Sequence, residues 1–574
     1  MSLWVVSIWI PVLAVPAALI FFATLTLTHA LWRHTPLLAP LLGIVGLALA
    51  AWLSFLAWWA WPPAGFMLCS LTLIASAVVF VRGGIWRGWR EALPVLALMA
   101  GGLLFAVSFS YLWGAGNDPY SLVAGRFFHF LLPSDNTIPM LFGQKLSLGQ
   151  STTLLTGDWN GGDRPPLQTG FELLFSPLVA VQQAASGAAV VGFGGTMPMG
   201  AAFAADVLAQ VLWIPAGYVL LRLLGFRSWI AIASLVFSLM IPSILVNTVF
   251  TWPKMLSAGL VLTAIGFLLA VRQNRTAALW PFLFAVIAAT LAVLAHGAAA
   301  FTIPALVLIG LYALRGRGIR PSFGVISWGA ACGLLLYAPW AAYQRFVDPP
   351  GDRLLKWHLA GWVPVTPDSF VDVLVRQYTS TPVSELIGNR LANVGTLFGL
   401  DEAYRFTGPG ARPFVALRVE DWTSTLFALG PIAVAAGIVI LVLHLVRVRE
   451  LDDIARQRLL VVAAMLVCIA VWATVLFSAN ATIVAQGSHC WMLVLAIVPF
   501  AWLLERRPRL GLTLIGVQAA AFVTVYFLKY STPEEPARLS ISAAVLATIG
   551  LVFVLVGPIL LARRARPATA VRFR

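Results

Sequence analysis

Residues 36–60 read PLLAPLLGIVGLALAAWLSFLAWWA and contain no charged side chain. The run is longer than the roughly 20 residues with which an α-helix crosses about 30 Å of hydrocarbon. It is continuously apolar and does not alternate apolar with polar residues, so it predicts a helix and not a barrel strand. Similar runs recur along all 574 residues, of which 60% are hydrophobic and only 10% charged. Soluble domains carry about 25% charged residues. The sequence therefore predicts an all-α, polytopic transmembrane helical bundle.

About fifteen apolar runs are long enough to be transmembrane helices. The first run, from Leu3 to about Thr28, has no basic residue ahead of it and no clear cleavage site, so we expect a retained helix and not a removed signal peptide. The predicted helices cover residues 3–30, 36–60, 64–81, 92–113, 198–221, 228–248, 255–271, 278–295, 298–314, 323–341, 423–446, 459–478, 488–504, 510–528 and 541–562.

The formal net charge of +15 reflects where the arginines lie. They cluster in short segments between the predicted helices, as at 82–90, 315–320 and 447–458, and in the C-terminal tail. Short loops rich in arginine face the cytoplasm. The sequence therefore predicts an extracytoplasmic N-terminus, a cytoplasmic C-terminus and a bacterial inner-membrane location. The charge is accounted for by topology, and we expect the bilayer and no nucleic acid as a partner.

Two long segments remain on the opposite side, which we expect to be extracytoplasmic. The predicted organisation is N-terminal helices (1–113), a first outer loop (114–197), a central bundle (198–341), a second outer loop (342–422), and C-terminal helices with a basic tail (423–574). The four cysteines lie in or beside apolar runs at unrelated spacings, so they indicate neither a zinc site nor a disulfide framework.

Polar residues appear directly after the fourth predicted helix, where residues 116–120 read GNDPY. A carboxyl at the boundary of water and membrane is partly desolvated, which raises its basicity. Asp118 is therefore a candidate general base for a hydroxyl group, with Tyr120 beside it. The alternative is an ordinary turn, because Asn, Asp and Pro are common turn residues.

Residues 156–167 read TGDWNGGDRPPL. The paired glycines permit a tight turn and the paired prolines fix an extended exit, so Asp163 and Arg164 would sit on a rigid corner. An arginine fork suits a phosphate group. A structural Asp–Arg pair that closes the loop is equally compatible. The apolar face of residues 168–181 predicts a helix lying on the membrane surface.

These motifs resemble the GT-C superfamily of membrane glycosyltransferases, and within it the protein O-mannosyltransferase and lipid A aminoarabinose transferase group. The resemblance rests on an acid–Pro–Tyr motif after an early helix, on Gly157–Trp159 with its central Asp158, and on Arg164–Leu167. It implies that Asp118 is the catalytic acid of the loop and that Arg164 contacts a lipid phosphate. Some GT-C members use a divalent metal; the resemblance leaves a metal open here and assigns no ligands or other cofactor.

Three further candidates lie at the outer ends of central helices. Lys254 follows Trp252 and Pro253, where it could hold a phosphate or simply extend toward the interface. Asp206 lies inside the fifth predicted helix, where an acid is costly and indicates substrate binding or pairing with another helix. His296 ends the eighth predicted helix and is either a substrate contact or structural.

The second outer loop begins RFVDPPGDRLLKWH at residues 345–358. The cations Arg345, Arg353, Lys356 and His358 stand among leucines and a tryptophan, which suits a polyprenyl phosphate and also suits an interfacial anchor. Thr366 followed by Pro367 predicts the N-cap and first residue of a short helix, and 384–394 predicts another. Weaker candidates for acceptor contacts are Tyr378, Arg390, Asp401, Glu402, Tyr404, Arg405 and His489.

The predicted function is the inverting transfer of a sugar from a polyprenyl-phosphate donor to an envelope acceptor on the outer face of the cytoplasmic membrane. The acceptor could be a glycan, a lipid or a protein. Asp118 would act as the base, and Arg164, Lys254, Arg353 and Lys356 would bind the donor phosphate. The alternatives are a transporter or lipid flippase, a polysaccharide polymerase or ligase, and a non-catalytic scaffold. No inverted repeat of the kind common in transporters is evident in the sequence.

Overall fold

The structure is a computed structural model that describes residues 3–83, 89–113, 118–120, 135–187, 197–273, 279–316, 319–397, 439, 442–443, 452–478, 488–528 and 539–564. The predicted helix at 423–446 lies outside these residues apart from three positions. Asn117, Asp401, Glu402, Tyr404 and Arg405 also lie outside them. Within the described ranges the protein is all-helical, as predicted, and the strand-type pairing there is a single bridge between Thr156 and Trp159.

The N-terminal part contains five helices followed by the short helices of the first loop. Their bounds are α1 Leu3–Leu27, α2 His29–Trp32, α3 Ala39–Ala60, α4 Pro62–Arg82, α5 Trp89–Ser110, α6 Ile138–Ser147, α7 Leu167–Leu174 and α8 Ser176–Ala185.

The central bundle and the described part of the second loop follow. Their bounds are α9 Met199–Gln210, α10 Trp213–Leu223, α11 Ser228–Leu239, α12 Pro242–Val249, α13 Lys254–Gln273, α14 Leu279–Ala295, α15 Ile303–Leu314, α16 Ile319–Phe346, α17 Arg353–Ala360, α18 Phe370–Ser380 and α19 Val383–Leu397. The C-terminal helices are α20 Asp453–Val475, α21 Ser488–Arg506, α22 Pro508–Val523 and α23 Ile541–Arg564.

Many of these helices could cross a membrane. Among the described residues, 11 helical segments are long and apolar enough by length and composition, or up to 12 if one bent pair is a single span. The bent pair is α11 and α12, which meet at 79° where the sequence predicted one helix over 228–248. Pro242 opens α12, and a proline cannot donate the backbone hydrogen bond that would continue α11. The protein is a multi-pass membrane protein.

The helix after the Pro-Pro corner does not lie on a surface, contrary to the sequence-based expectation. The segment forms two helices, α7 and α8, and every residue of α7 is buried. α7 packs against α3, where a Cβ on Gly170 would lie 2.2 Å from the carbonyl oxygen of Ala51. Glycine permits this close backbone approach. The first loop therefore extends into the helical bundle and is not confined to its surface.

Two helices of the second loop, α18 and α19, present apolar faces to their surroundings. Val371 and Val375 on α18, and Val383, Ile387 and Leu391 on α19, are exposed at helical spacing. Such stripes are typical of helices that lie at a membrane interface.

The start of α18 differs from the expectation. Its N-cap is Ser369, whose hydroxyl accepts a hydrogen bond from the backbone N–H of Asp372 at 3.1 Å. Thr366 instead accepts from the N–H of Asp368 at 3.3 Å, which forms a turn ahead of the helix. The cap therefore lies three residues later than predicted, because both Thr366 and Ser369 carry a suitable hydroxyl.

The bundle has two distinct ends. One end carries the described parts of both long loops, and we call it the loop face. At the other end lie Arg222, Arg272, Arg315 and Arg458. Arg458 there donates to Glu505 at 2.6 Å and to the carbonyl of Leu224 at 2.8 Å. The arginine clusters and the candidate site residues are thus separated by the length of helices such as α13, which runs from Lys254 to Gln273.

Candidate functional site

Asp118 is half-buried at the loop face, shortly after α5. Its Oδ1 accepts a hydrogen bond from the backbone N–H of Tyr120 at 2.9 Å, so residues 118–120 form a turn of the kind that Asp and Pro favour. The carbonyl of Tyr120 accepts in turn from the side-chain amide of Asn136 at 3.2 Å. These bonds fix the Asp118 turn to the segment at 135–137.

The side chain of Tyr120 points into the bundle. Its hydroxyl donates to Asp206 Oδ2 at 2.8 Å, and both residues are fully buried. Glu172, from α7, exchanges a hydrogen bond with the Asp206 carboxyl, and Gln168 also contacts it. Burial, reinforced by the neighbouring Asp206, raises the pKa of Glu172 well above its usual value. Asp206 therefore pairs with another helix and with the Asp118 turn, which was one of its two sequence-based alternatives.

Arg164 lies on the corner that the sequence predicted. Its guanidinium forms an ion pair with Asp135, whose other oxygen accepts from the indole N–H of Trp252. Asp135 has only 2% of its side chain exposed. The pairing uses Nη2 of Arg164 and links the first loop to the start of α13, whereas the buried Nε of Arg164 has no hydrogen-bond partner within the described part of the chain.

A second arginine meets the same corner from the other loop. Arg353 donates to the Asp158 carboxylate at 2.5 Å and to the Asp158 carbonyl at 2.7 Å, and it lies 3.6 Å from Asp163 Oδ2. The guanidinium carbons of Arg164 and Arg353 lie 4.5 and 4.7 Å from the centre of the Trp159 ring. We call Asp135, Asp158, Trp159, Asp163, Arg164 and Arg353 the loop clasp. It contains three carboxyl groups and two guanidinium groups.

Asp163 supports the clasp from inside. Its Oδ2 accepts from the backbone N–H of Asn160 at 2.9 Å, which closes the tight turn at the paired glycines. Burial raises the pKa of the Asp163 carboxyl above its usual range, and the Asn160 N–H and the Arg353 charge act in the opposite direction. Asp163 and Arg164 therefore form structural ion pairs with distant residues, Arg353 and Asp135 respectively, whereas the sequence-based alternative paired them at the corner itself.

Lys356 is also paired. Its ammonium lies 2.7 Å from Asp352 Oδ1 and donates to the carbonyl of Thr366 at 3.1 Å. Nearby, Asp348 accepts from the backbone N–H of Gly162, so this stretch of the second loop is joined to the first loop at a further point. The two contacts of Lys356, with Asp352 and Thr366, both lie within the second loop.

Lys254 differs from the other three cations. It is the first residue of α13, it is fully buried, and its Nζ lies 3.8 Å from the centre of the Trp252 ring. Among the described residues, its ammonium has no hydrogen-bond acceptor. The nearest charged groups that act on it belong to Asp135 and Arg164.

Two histidines stand beside Lys254. His296 caps the 3-10 helix Gly297–Thr302, and its Nδ1 accepts from the backbone N–H of Ala298 at 3.2 Å. Its ring centre lies 5.1 Å from that of His489 at the start of α21. Burial, together with His489 and Lys254, lowers the pKa of His296 well below its usual value. We call Lys254, His296 and His489 the amine–imidazole cluster.

The remaining candidates lie apart from these groups. Arg345 is exposed in the last turn of α16. His358 is half-buried and stacks on Trp357 with ring centres 5.4 Å apart. Arg390 donates to the Tyr378 hydroxyl at 2.7 Å and to the Phe477 carbonyl at 2.6 Å, so this pair anchors α18 and α19 to the end of α20.

Metal binding stays an open prediction. Within the described part of the chain, no group of three or more His, Cys, Asp or Glu side chains is arranged to hold a metal ion.

The sequence reasoning missed Asp135 and Glu172. Asp135 stands in a stretch without a recognisable motif, and its partner Arg164 lies far along the chain. Glu172 lies in a segment that was predicted to be a helix on the membrane surface. A signal was available for Glu172, because an acid in a mostly apolar helix needs a partner if that helix is buried.

Comparison with known proteins gave one result. No family model matches the chain, and no curated protein matches it. Among solved structures, the chain is similar to a crystal structure of ArnT from Cupriavidus metallidurans in the apo state. The identity is 15%, the match covers 74% of this chain and 80% of that one, and the TM-score is 0.29. At this identity and TM-score the match transfers no residue role, substrate or mechanism to this chain.

Proposed function

We propose that this protein is a membrane glycosyltransferase that moves a sugar from a polyprenyl-phosphate donor to an envelope acceptor on the outer face of the cytoplasmic membrane. One observation supports this proposal most strongly. Asp118, Arg164 and Lys254, far apart in the sequence, lie at one face of the bundle, where Asn136, Asp135 and Trp252 link their surroundings. A carboxyl group and buried cations together suit the transfer of a group from a phosphate.

The reaction proceeds as one displacement. Asp118 takes the proton of the acceptor hydroxyl, and the hydroxyl oxygen attacks the anomeric carbon. The bond from that carbon to the phosphate oxygen breaks, and its electron pair leaves with the lipid phosphate. The anomeric configuration inverts. The negative charge that grows on the leaving phosphate is stabilised by cationic groups near the loop face.

The topology supports a lipid-linked donor. With the arginine-rich end of the bundle in the cytoplasm, as the positive-inside rule predicts, the loop face is extracytoplasmic. Soluble nucleotide sugars are absent on that side, whereas a polyprenyl-phosphate sugar reaches it within the bilayer. The exposed apolar stripes of α18 and α19 would keep the second loop at the membrane interface, where such a donor is presented.

The test is a reconstituted transfer assay. The full chain in liposomes is supplied with radiolabelled polyprenyl-phosphate sugars, or with nucleotide sugars as a comparison, together with mixed envelope glycolipids, glycans and proteins. We expect the label to move to an acceptor from the lipid-linked donor only. Label that crosses the bilayer without joining an acceptor would favour a transporter or flippase. A product of repeating units would favour a polysaccharide polymerase.

A further inference from the structure

The four cations named from the sequence differ in how far their charge is already neutralised. Arg164, Arg353 and Lys356 each contact at least one carboxylate, at Asp135, at Asp158 and Asp163, and at Asp352 respectively. The loop clasp contains one more carboxyl group than guanidinium groups. An anion that entered it would have to displace existing pairs against a surplus of negative charge. The clasp is therefore suited to joining the two loops and poorly suited to binding phosphate.

The amine–imidazole cluster has the opposite character. Lys254 is fully buried, and His296 and His489 are 6% and 5% exposed. The Nζ of Lys254, the Nε2 of His296 and both ring nitrogens of His489 have no hydrogen-bond partner within the described part of the chain. A buried donor without an acceptor costs roughly 1–3 kcal/mol. Several such donors at one place indicate a ligand whose atoms would accept hydrogen bonds from them.

The unpaired atoms specify the chemistry of that ligand. Because Nδ1 of His296 accepts a hydrogen bond, neutral His296 carries its proton on Nε2 and is a donor there. Lys254 contributes only donors, and neutral His489 contributes one donor and one acceptor. The cluster thus offers mainly donors, and two of its residues lie at the N-terminal ends of α13 and α21, where the helix dipole favours an anion. A phosphate, with several acceptor oxygens, fits this arrangement.

An apolar groove runs along the side of the bundle. This lateral groove lies between α13, α14, α15 and α16, has a volume of about 420 Å³, and has Thr290 and Tyr337 as the polar residues of its lining. The lining includes Val293, which is three residues before His296 in the sequence, and on α13 it begins at Ala264. Leu311 and Leu334 in its wall are exposed, so the groove is open toward the side of the bundle. A chain in the bilayer could enter it laterally.

We propose that Lys254, His296 and His489, and not the arginines of the loop clasp, bind the phosphate of the lipid donor, whose polyprenyl chain lies in the lateral groove. This assignment rests on the proposed function for the identity of the lipid. The phosphate is held within the bundle, beneath the loop clasp, and the sugar attached to it points toward the loop face. Trp252 forms the wall on which the Lys254 amine rests.

Binding measurements on the purified full chain test the phosphate site. Native mass spectrometry is used with a polyprenyl phosphate, with the polyprenol of the same length, with inorganic phosphate and with dioleoyl phosphatidic acid. We expect Lys254→Met and His489→Leu to weaken polyprenyl-phosphate binding by at least about tenfold. Arg353→Gln, Lys356→Met and the control Lys145→Met should bind as the wild type does. Equal losses in Arg353→Gln and Lys254→Met would overturn the assignment.

The thermal unfolding midpoint separates binding from structural damage. Without ligand, Lys254→Met should unfold at or above the wild-type temperature, because it removes a buried amine that has no acceptor. A structural role for Lys254 would lower that temperature instead, and this result would count against the proposal.

A cavity-filling variant tests the groove. Gly310 lines it, and a Cβ there meets Leu268 and Phe282 only at 3.8 and 3.9 Å, so Gly310→Leu extends into the free volume. We expect Gly310→Leu to weaken binding of both polyprenyl lipids and to leave inorganic phosphate unaffected. Gly324→Leu on α16, which meets no neighbour within 4 Å, is the matched control.

The ligand series gives further outcomes that decide the proposal. Polyprenol that binds as tightly as polyprenyl phosphate would contradict the phosphate site. Phosphatidic acid that competes equally would contradict the polyprenyl assignment. If polyprenyl phosphate binds through Lys254 and no sugar is ever transferred, the binding inference stands and the proposed function fails. If transfer occurs and Lys254→Met has no effect on donor binding, the proposed function stands and the inference fails.

Discussion

The guanidinium of Arg353 lies against the Trp159 ring, with its carbon 4.7 Å from the ring centre, and thereby holds the second loop on the first. Arg164 contacts the same ring at 4.5 Å. Each cation–π contact stabilises by about 0.5–1 kcal/mol at an exposed site and by about 2 kcal/mol or more when desolvated. The contact joins segments that are almost two hundred residues apart, which the sequence alone gave no means of pairing.

The two aspartates that hold Arg353 should differ in their contribution to stability. Asp158 has 69% of its side chain exposed, whereas Asp163 has 6%. We expect Asp158→Ala to lower the free energy of unfolding by less than about 1 kcal/mol because that carboxylate is exposed. We expect Asp163→Ala to lower it by about 3 kcal/mol because the buried Asp163 carboxyl also accepts from the Asn160 N–H, which would lose its partner in the buried turn. Thermal or denaturant unfolding in detergent measures both. Equal effects of the two variants would contradict this description of the clasp.

Glu172 should make stability depend on pH. Its pKa in the folded protein is raised by burial, so its contribution to stability is complete below its unfolded value of about 4.3 and is lost as pH rises through the folded value. We expect the unfolding temperature of the wild type to fall, relative to Glu172→Gln, as pH increases above about 5. Glu385→Gln, at an exposed position on α19, is the control and should follow the wild type. A constant difference between wild type and Glu172→Gln at every pH would contradict the prediction.

Gly170 should not tolerate a side chain. A Cβ at this position would lie 2.2 Å from the Ala51 carbonyl oxygen, so Gly170→Ala must separate α7 from α3. We expect a loss of about 1–3 kcal/mol, as for other overpacked interiors. Gly388→Ala in α19, where a Cβ meets nothing within 4 Å, should be neutral or slightly stabilising. Comparable unfolding temperatures for the two variants would show that α7 does not pack as closely as described.

Cysteine labelling in intact cells tests the predicted sides of the membrane. In a background where Cys332 is replaced by alanine, Ser384→Cys on α19 should react with a membrane-impermeant maleimide without permeabilisation. Asp453→Cys at the start of α20 should react only after permeabilisation. Both positions are exposed in the structure, so access to reagent depends on the bilayer. The reverse pattern would place the loop face in the cytoplasm.

Most helices could be predicted from the sequence because a long apolar run in a bilayer satisfies its backbone hydrogen bonds by forming an α-helix. The bend between α11 and α12 was missed although Pro242 marks it, since the apolar run continues through the proline. The burial of α7 was also missed. An amphipathic pattern shows that one face is apolar and does not show whether water or protein covers the polar face.

The candidate site was predicted less completely than the fold. The resemblance and the residue types drew attention to Asp118, Arg164 and Lys254, which lie at one face. Glu172 could have been suspected of having a partner, but the side chains that Asp135 and Glu172 contact could not be identified, because nothing local to either residue specifies a distant neighbour. Whether a cation is free or already paired is likewise a property of tertiary structure, and it is what distinguishes Lys254 from Arg353.

The central claim is that sugar transfer at the loop face depends on Asp118 as a base, and the rate of transfer by Asp118→Asn tests it most directly. Asparagine keeps the oxygen that accepts from the Tyr120 N–H, so the turn is retained while basicity is lost. With a polyprenyl-phosphate sugar and a competent acceptor, we predict a rate about 100-fold or more below the wild type. Asp453→Asn at the opposite end should transfer normally. Transfer by Asp118→Asn at the wild-type rate would contradict the mechanism.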